Sequence, residues 1–556
     1  VKGAAATLLL LAASLGVHWP PARAELAYDD VDFVSANASL RSPAAAARAL
    51  LAPFPPDQPE RALYRPLTHL SYALDHALFA GDPRAYHRSN AVLYAAVVLL
   101  AHRLALAYRM SAGAALAAAL LFAVHPVHCE AVDAVAGRSE LLSLFFSLAA
   151  CLLFARALGP PATRRGALFA SAGAQALATL AKESAAVLPG ILAVQRAAFA
   201  DPPARGALRA WLRGFGVLAP SLGVLALVLA LRTAVLGSFG PRDAPLAGSD
   251  LATRLLTMGA VFLVYLRLLV LPDRLQVDFY YQTLIGIVQR PTLGALLGWA
   301  LLLALAALAL RLAVRQLRPG GRAEPPEARA RRSAALCAFA IFFGFLLPVS
   351  HVVDVGVLAA ERLLFAPSLG FVLLAVLAGE RVLSRVRAPE LRRALAVGVV
   401  GLLALAGTAR SALRAAEWRD PARLWLSAER VLASDPRVPS NLATVYLDRG
   451  DLAAAEAALA RALALAPDAP FARGNLGLLR IAQGRLDEAE AIFEGLAAAD
   501  PRDVLAWASL GRIEALRARP ELARQHFERA LAIDPNFEPA RAALAELTPP
   551  AGSAER

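Results

Sequence analysis

Apolar residues gather in long runs up to about residue 410 and in short periodic clusters after it. Runs approaching the ~20 residues a bilayer-crossing helix needs fall near 4–19, 86–107, 111–124, 139–157, 166–181, 184–199, 214–236, 255–272, 292–314, 333–349, 362–379 and 391–409. Arginine clusters stand between them: Arg103 and Arg109; Arg156, Arg164 and Arg165; Arg196, Arg205, Arg209 and Arg213; seven arginines over 311–332 around the linker PGGRAEPPEAR; five over 381–393. Such clusters mark cytoplasmic loops. Three runs separate the third cluster from the fourth, yet both clusters belong on one side. One of the three is therefore expected to be re-entrant or interfacial. The choice is 255–272, which carries Arg267 and leads into the polar-aromatic DRLQVDFYYQ. Eleven crossings follow, or thirteen with one more pair. Either number puts the N-terminus inside and the C-terminus outside. The run 4–19 reads as a first span rather than a cleaved signal.

Beyond residue 435 the pattern repeats. Leu442, Leu476, Leu510 and Leu544 are 34 residues apart, as are Pro467, Pro501 and Pro535. A small residue follows three of the leucines (Ala443, Gly477, Gly511). Alanines come thirteen residues after them (Ala455, Ala489, Ala523) and large apolar residues four further on (Leu459, Phe493, Phe527). This is the tetratricopeptide spacing. Three repeats (436–469, 470–503, 504–537) and a capping helix (538–547) are expected, ahead of a 548–556 tail. The segment 411–435 reads as a half-repeat joining the array to the membrane part, 1–410. The fold class is therefore all-α: a polytopic helix bundle followed by a repeat solenoid.

Composition narrows the reading. Of 556 residues 58% are hydrophobic and 18% charged, with a mean hydropathy of +0.52; soluble proteins carry about 25% charged residues. Three cysteines exclude a disulfide scaffold. The net charge is +13, yet 436–547 holds 13 Arg against 16 Asp and Glu, a net of −3. The positive excess thus lies between apolar runs, where it orients a membrane protein rather than binding nucleic acid. Only Lys2 and Lys182 are lysines. That bias, with abundant alanine, points to a GC-rich bacterial genome and an inner-membrane location.

Ionisable groups near membrane depth are costly and mark sites. The first outside loop, 20–84, opens with Tyr28-Asp29-Asp30 and holds Arg65 before the amphipathic HLSYALDHALF, a stretch suited to the interface. Asp29 and Asp30 read as a solvated acid pair or as a general base with its orienting partner. The next loop, 125–140, holds His125, His128, Glu130, Arg138 and Glu140. His125, His128 and Glu130 have metal-ligand spacing. Pro126 breaks the helix that would present both histidines, however, and no fourth ligand is evident, so no metal is assigned. With Arg138 they read instead as groups for phosphate or sugar recognition or as caps of the two helix ends, and Glu140 is a candidate partner for Arg138. Lys182-Glu183 between two apolar runs is an ion pair at a helical hairpin or a compact ammonium placed for a ligand. Glu361-Arg362 opens another span and reads the same way, as an ion pair or as groups placed for a ligand.

These strings resemble the transmembrane and tetratricopeptide-repeat O-mannosyltransferases. The residues that carry the resemblance are YDD, YRPLTHLSYALDHALF, AYHRSNAVLYAAV, LFAVHPVHCEAVDAVAGRSELL and LATLAKES, then TRLLTMGAVFLVYLRLLVLPDRLQVDFYY, FLLPVSH, VGVLAAERLLFAPSLGF and EWRDPARLWLSAERVLASDPR. They cover nearly the whole chain and are densest over 28–190 and 340–370. The resemblance implies a GT-C glycosyltransferase. It implies a polyprenyl-phosphate sugar, mannose above all, as donor substrate, no further cofactor, a protein hydroxyl as acceptor and inversion on the outer face. Asp29 or Asp30 would be the base; Arg65, His125, His128, Glu130, Arg138, Lys182 and Glu183 would hold the donor phosphate and sugar; the repeats would hold the acceptor polypeptide. Two other functions stay open. One is a same-fold transferase acting on a lipid or polysaccharide. The other is a non-enzymatic membrane-anchored repeat scaffold, which leaves a dozen apolar runs unexplained.

Overall fold

The computed structural model describes residues 2–56, 58–159, 161–199, 212–237, 244–317, 325–352, 355–535 and 537–547. Arg205, Arg209, residues 318–324 of the linker and the 548–556 tail lie outside them. Every regular element among the described residues is helical. The chain divides into two compact units, Val1–Asp420 and Pro421–Arg556.

Among the described residues of the first unit eight helices are long and apolar enough to cross a membrane: Pro83–Ala107, Val135–Ala157, Gly214–Leu236, Leu251–Val270, Leu293–Leu317, Pro326–Val349, Glu361–Leu383 and Pro389–Trp418. The bent pair Ala112–Ala123 and Pro126–Val132, 52° apart, makes nine if it is one span. Fewer helices qualify than the eleven runs expected to cross. Lys2–His18 and Leu188–Phe199 are 17 and 12 residues long. Pro161–Ala181 has the length but carries Arg164, Arg165 and Gln175. The expected re-entrant run is instead a continuous 20-residue helix, Leu251–Val270. Its Arg267 lies in the last turn and reaches Asp273 at 2.7 Å beyond the helix end, so the arginine does not interrupt the apolar run. The break falls at Val124-His125, where Pro126 removes a backbone donor.

The last helix of this unit runs without a breaker to Trp418, so 411–418 belongs to it rather than to a linker. Pro421 disfavours helical backbone at Asp420 and starts a new helix, Pro421–Glu429. Small residues let helices meet. A Cβ on Gly298 would lie 1.8 Å from the Gly259 carbonyl oxygen, which fixes the crossing of Leu251–Val270 with Leu293–Leu317.

The expected interfacial stretch is the helix Pro66–Phe79, and its amphipathicity is inverted. Thr68, His69, Tyr72 and Asp75 are buried in the protein, while Leu70, Leu74, Leu78 and Phe79 are exposed.

In the second unit the repeats form helix pairs: Arg437–Asp448 with Leu452–Leu465, Pro470–Ala482 with Leu486–Ala499, and Val504–Leu516 with Pro520–Ile533, followed by Glu538–Leu547. The small residues act as the spacing implied. A Cβ on Gly477 would lie 2.6 Å from the Phe493 ring, and one on Gly511 2.8 Å from Phe527. Both phenylalanines are buried between the paired helices.

Candidate active site

The first loop starts with an abrupt change of direction. Tyr28 has φ of 56°, a left-handed conformation that a non-glycine residue adopts at a cost of roughly 1 kcal/mol or more. The following residues then point apart. Asp30 is fully buried and accepts backbone N–H bonds from Ala136 at 2.7 Å and Ala27 at 3.2 Å. Burial pushes its carboxyl up to about 7, against the pull of N–H bonds from Ala136, Val135 and Ala27. The Asp29 side chain is 24% exposed and lies 3.4 Å from Arg61 and 4.0 Å from Arg362.

Asp29 faces a cavity of about 770 Å³. Its wall comes from the first loop, Glu130, the turn 134–140, residues 182–186, Leu229 and Arg232, residues 348–349, 355–357 and 362–363, and the end of the Pro389–Trp418 helix. Gly137 closes the turn. A Cβ there would meet the Ala131 carbonyl oxygen at 2.3 Å, so only glycine lets Ala136 reach Asp30.

Cations line this space in pairs with acids. Arg61 joins Asp29 to Asp32, the latter at 2.5 Å, with its guanidinium over the Phe33 ring. Arg65 holds Glu183 through two nitrogens, at 2.8 and 3.2 Å, and its third lies 3.4 Å from the Ser139 hydroxyl. Lys182 pairs with Glu140, and Arg362 with Glu130, which also accepts the Arg362 backbone N–H at 2.8 Å. Arg232 donates to the Ala62 carbonyl at 3.1 Å. Burial pushes the Lys182 ammonium below its usual range, an effect Glu140 opposes. Burial would raise Glu183, but Arg65 and Lys182 hold it well below the usual carboxylate range. Five cations and six acidic residues thus line the cavity, giving it groups that can hold an anion and groups that can accept a proton.

A tetratricopeptide-repeat family model matches residues 446–513. Protein O-mannosyl-transferase TMTC3 of Mus musculus is 29% identical over 401 residues, 68% of this chain and 42% of its own. The Drosophila melanogaster Protein O-mannosyl-transferase Tmtc3 is 27% identical over 512 residues, 80% and 53% of the two chains. The chain's homologues are the protein O-mannosyl-transferases of this group. The chain spans about half the length of these curated relatives. Among solved structures, the apo oligosaccharyltransferase of Archaeoglobus fulgidus aligns with 14% identity over 74% of this chain and 56% of its own, at a TM-score of 0.39.

Of the residues singled out in the sequence, Asp29, Asp30, Arg65, Glu130, Glu140, Lys182, Glu183 and Arg362 line the cavity. His125, His128 and Arg138 do not, and each has another task. His128 is buried, with Nδ1 2.8 Å from the Tyr94 hydroxyl and Nε2 2.8 Å from that of Ser368. His125 caps the turn after it: Nδ1 accepts the Val127 N–H and Nε2 lies 3.1 Å from the Leu269 carbonyl. Helix capping, one of the two readings, is what His125 does. Arg138 is spent on Asn90, Asp75 and the Tyr86 and Ser71 carbonyls, with its guanidinium over Tyr72. Glu140 pairs with Lys182 rather than with Arg138. Neither expected adjacent pair forms: Lys182 and Glu183 take separate partners, and so do Glu361 and Arg362.

Among the described residues, His18, Cys129 and Asp133 bring metal-ligating atoms within 4.8 Å of one another. That group contains none of the residues weighed as ligands, and Asp133 already holds His18 at 2.8 Å and Arg419 at 2.6 Å.

Arg61 and Arg232 were missed, while Arg362 had been noted only as the neighbour of Glu361. Arg232 carried a signal, as an arginine inside the apolar run 214–236. Arg61 carried none.

Proposed function

We propose that this chain is a membrane glycosyltransferase of the GT-C type that moves a sugar, mannose by its family likeness, from a polyprenyl phosphate to Ser or Thr hydroxyls of extracytoplasmic proteins. The observation that carries the reading is the juxtaposition of a partly exposed carboxylate, Asp29, with the guanidinium groups of Arg61 and Arg362 in a cavity that also presents Arg65 and Lys182.

The chemistry follows from these groups. A Ser or Thr hydroxyl is a weak nucleophile at neutral pH. Asp29 accepts its proton as the oxygen attacks the anomeric carbon, a contribution of about 10²–10⁴-fold. The bond from that carbon to the phosphate oxygen breaks on the opposite face, which inverts the configuration. Polyprenyl phosphate leaves with the electron pair as a stable anion, so no general acid is needed. The cavity cations hold that phosphate as its charge grows. Arg61, Arg65, Lys182 and Arg362 are each already placed by a carboxylate, so little reorganisation accompanies donor entry. Asp30 takes no part in proton transfer and positions Asp29 by fixing the loop. The repeat unit supplies an extended surface for the acceptor polypeptide.

The test is mass spectrometry of extracytoplasmic peptides from cells expressing wild type or Asp29→Asn at equal abundance. Hexose on Ser/Thr peptides, lost in the variant, supports the reading. Hexose persisting in Asp29→Asn rejects Asp29 as base. Peptides without hexose in the wild type move the acceptor to a lipid or polysaccharide.

A further inference from the structure

The two ends of the helix bundle treat charge differently. At the cavity, Arg61, Arg65, Lys182 and Arg362 each have a carboxylate partner. The helix Arg138–Ala157 brings Glu140 to that cavity and carries Arg156 in its last turn. The helix Pro161–Ala181 ends beside Lys182 and carries Arg164 near its start. From Arg164 to Ala181 the helix rises roughly 25 Å, close to the ~30 Å hydrocarbon core of a bilayer. At this far end, among the described residues, no carboxylate pairs with Arg109, Arg156, Arg164 or Arg196. The charge that acts on Arg196 is Arg164, another cation.

The guanidinium groups here are held by their faces. Arg109 lies over the Phe199 ring, 5.6 Å from its centre, and Arg196 lies over Phe215 at 5.8 Å. Phe199 is itself stacked on Tyr108. A Cβ on Gly214 would come 2.5 Å from a terminal nitrogen of Arg196, so this guanidinium rests directly on backbone. Arg196 and Phe199 share the last turn of Leu188–Phe199, which brings both arginines to the end of one helix. Contact through a flat face leaves the N–H edge open to an oxyanion. Exposed apolar side chains stand close by in sequence: Leu106, one turn before Arg109, and Phe169, one turn after Arg165. A ligand that suits this place brings a phosphate for the arginines and hydrocarbon for Leu106 and Phe169, with no cation of its own. Inorganic phosphate lacks the hydrocarbon, and a choline headgroup adds the cation. We propose that Arg109, Arg164 and Arg196 bind the headgroup of an anionic phospholipid at the end of the bundle opposite the cavity. The site is independent of the sugar chemistry proposed for the cavity.

The experiment counts bound lipid. Purified full-length protein in detergent is titrated with phosphatidylglycerol, phosphatidylcholine or glycerol phosphate and read by native mass spectrometry. The wild type is expected to bind phosphatidylglycerol ahead of phosphatidylcholine. Arg164→Gln/Arg196→Gln is expected to weaken phosphatidylglycerol roughly thirtyfold, about fivefold for each arginine, and to leave phosphatidylcholine as before. Arg164→Gln alone, at an exposed position, is expected to lose roughly fivefold and serves should the double variant misfold. Arg392→Gln/Arg393→Gln removes the same charge from the start of the Pro389–Trp418 helix and is expected to change little. A wild type indifferent to the two lipids overturns the site, and so does a preference that survives in both Arg164 variants. Equal weakening by the two double variants shows diffuse attraction to charge and overturns it too. Glycerol phosphate bound as tightly as phosphatidylglycerol assigns the arginines to a soluble phosphate instead of a lipid.

Discussion

Asp30 accepts the Ala136 N–H at 2.7 Å. This bond helps to fasten the loop that carries Asp29 to the turn that precedes the helix Arg138–Ala157. Adjacent aspartates therefore divide their labour: one is sealed in to hold the frame, the other is left facing the cavity.

Removing the fastener should cost stability rather than chemistry alone. Asp30→Ala leaves the Ala136 and Ala27 N–H groups without their acceptor, at about 1–3 kcal/mol for each. The purified variant is expected to melt well below wild type, whereas Asp29→Asn melts close to it. Thermal unfolding in detergent compares the two.

Asp30 also sets a pH dependence. Its carboxyl is raised to about 7 in the fold by burial, from an ordinary value of 3.8. The folded protein thus binds this proton more tightly than the unfolded chain. The contribution is fully present below about pH 4 and is lost as pH rises through about 7. Melting temperatures measured from pH 4 to 8 should fall more steeply for wild type than for Asp30→Asn, which cannot titrate there.

Arg138 should prove structural. Arg138→Met leaves Asp75 buried without its cation, a change worth about 3–5 kcal/mol. Adding Asp75→Leu is expected to recover part of the loss, since it removes the stranded charge. Melting of the single and double variants checks this. Binding of short-chain polyprenyl phosphate, scaled to the folded fraction, should stay unchanged.

Within the repeats the two glycines of one helix should respond oppositely. Gly477→Val drives a side chain into Phe493, where a Cβ alone comes within 2.6 Å, and overpacking of this kind costs about 1–3 kcal/mol. Gly474→Ala meets nothing closer than 3.9 Å and gains helix propensity of up to about 1 kcal/mol. Limited proteolysis of the full chain should cut the first variant faster than wild type, and the second no faster.

The repeats were legible because each is a local object, with partners a fixed number of residues apart. Gly477 and Phe493 are sixteen apart, and so are Gly511 and Phe527. The long apolar helices were legible by length, and failed where composition and geometry diverge. Arg267 looked like an interruption but lies at a helix end, and Pro126 made the real bend. At the site, residue type drew attention to Asp29, Arg65, Lys182 and Glu183, because ionised groups beside apolar runs are rare. Partner choice was hidden. Lys182 finds Glu140 forty-two positions away, and Arg362 finds Glu130 across more than two hundred. Nothing in the sequence separates a histidine that greets a ligand from one that bonds Tyr94 and Ser368. Only packing decides that.

The helix Pro66–Phe79 gives the molecule a waterline. Leu70, Leu74 and Leu78 face outward, while its polar side is clamped through Asp75 to Arg138, and Arg65 at its start reaches Glu183 in the cavity. In a bilayer those leucines settle at the depth where hydrocarbon meets headgroup. Sinking or rising would wet them or strand the polar face. Under the proposed function this helix, tied to the cavity through Arg65 and Glu183, sets the height at which a phosphate tethered to a lipid tail would meet Asp29, so that a hydrocarbon chain and a water-borne hydroxyl share one level.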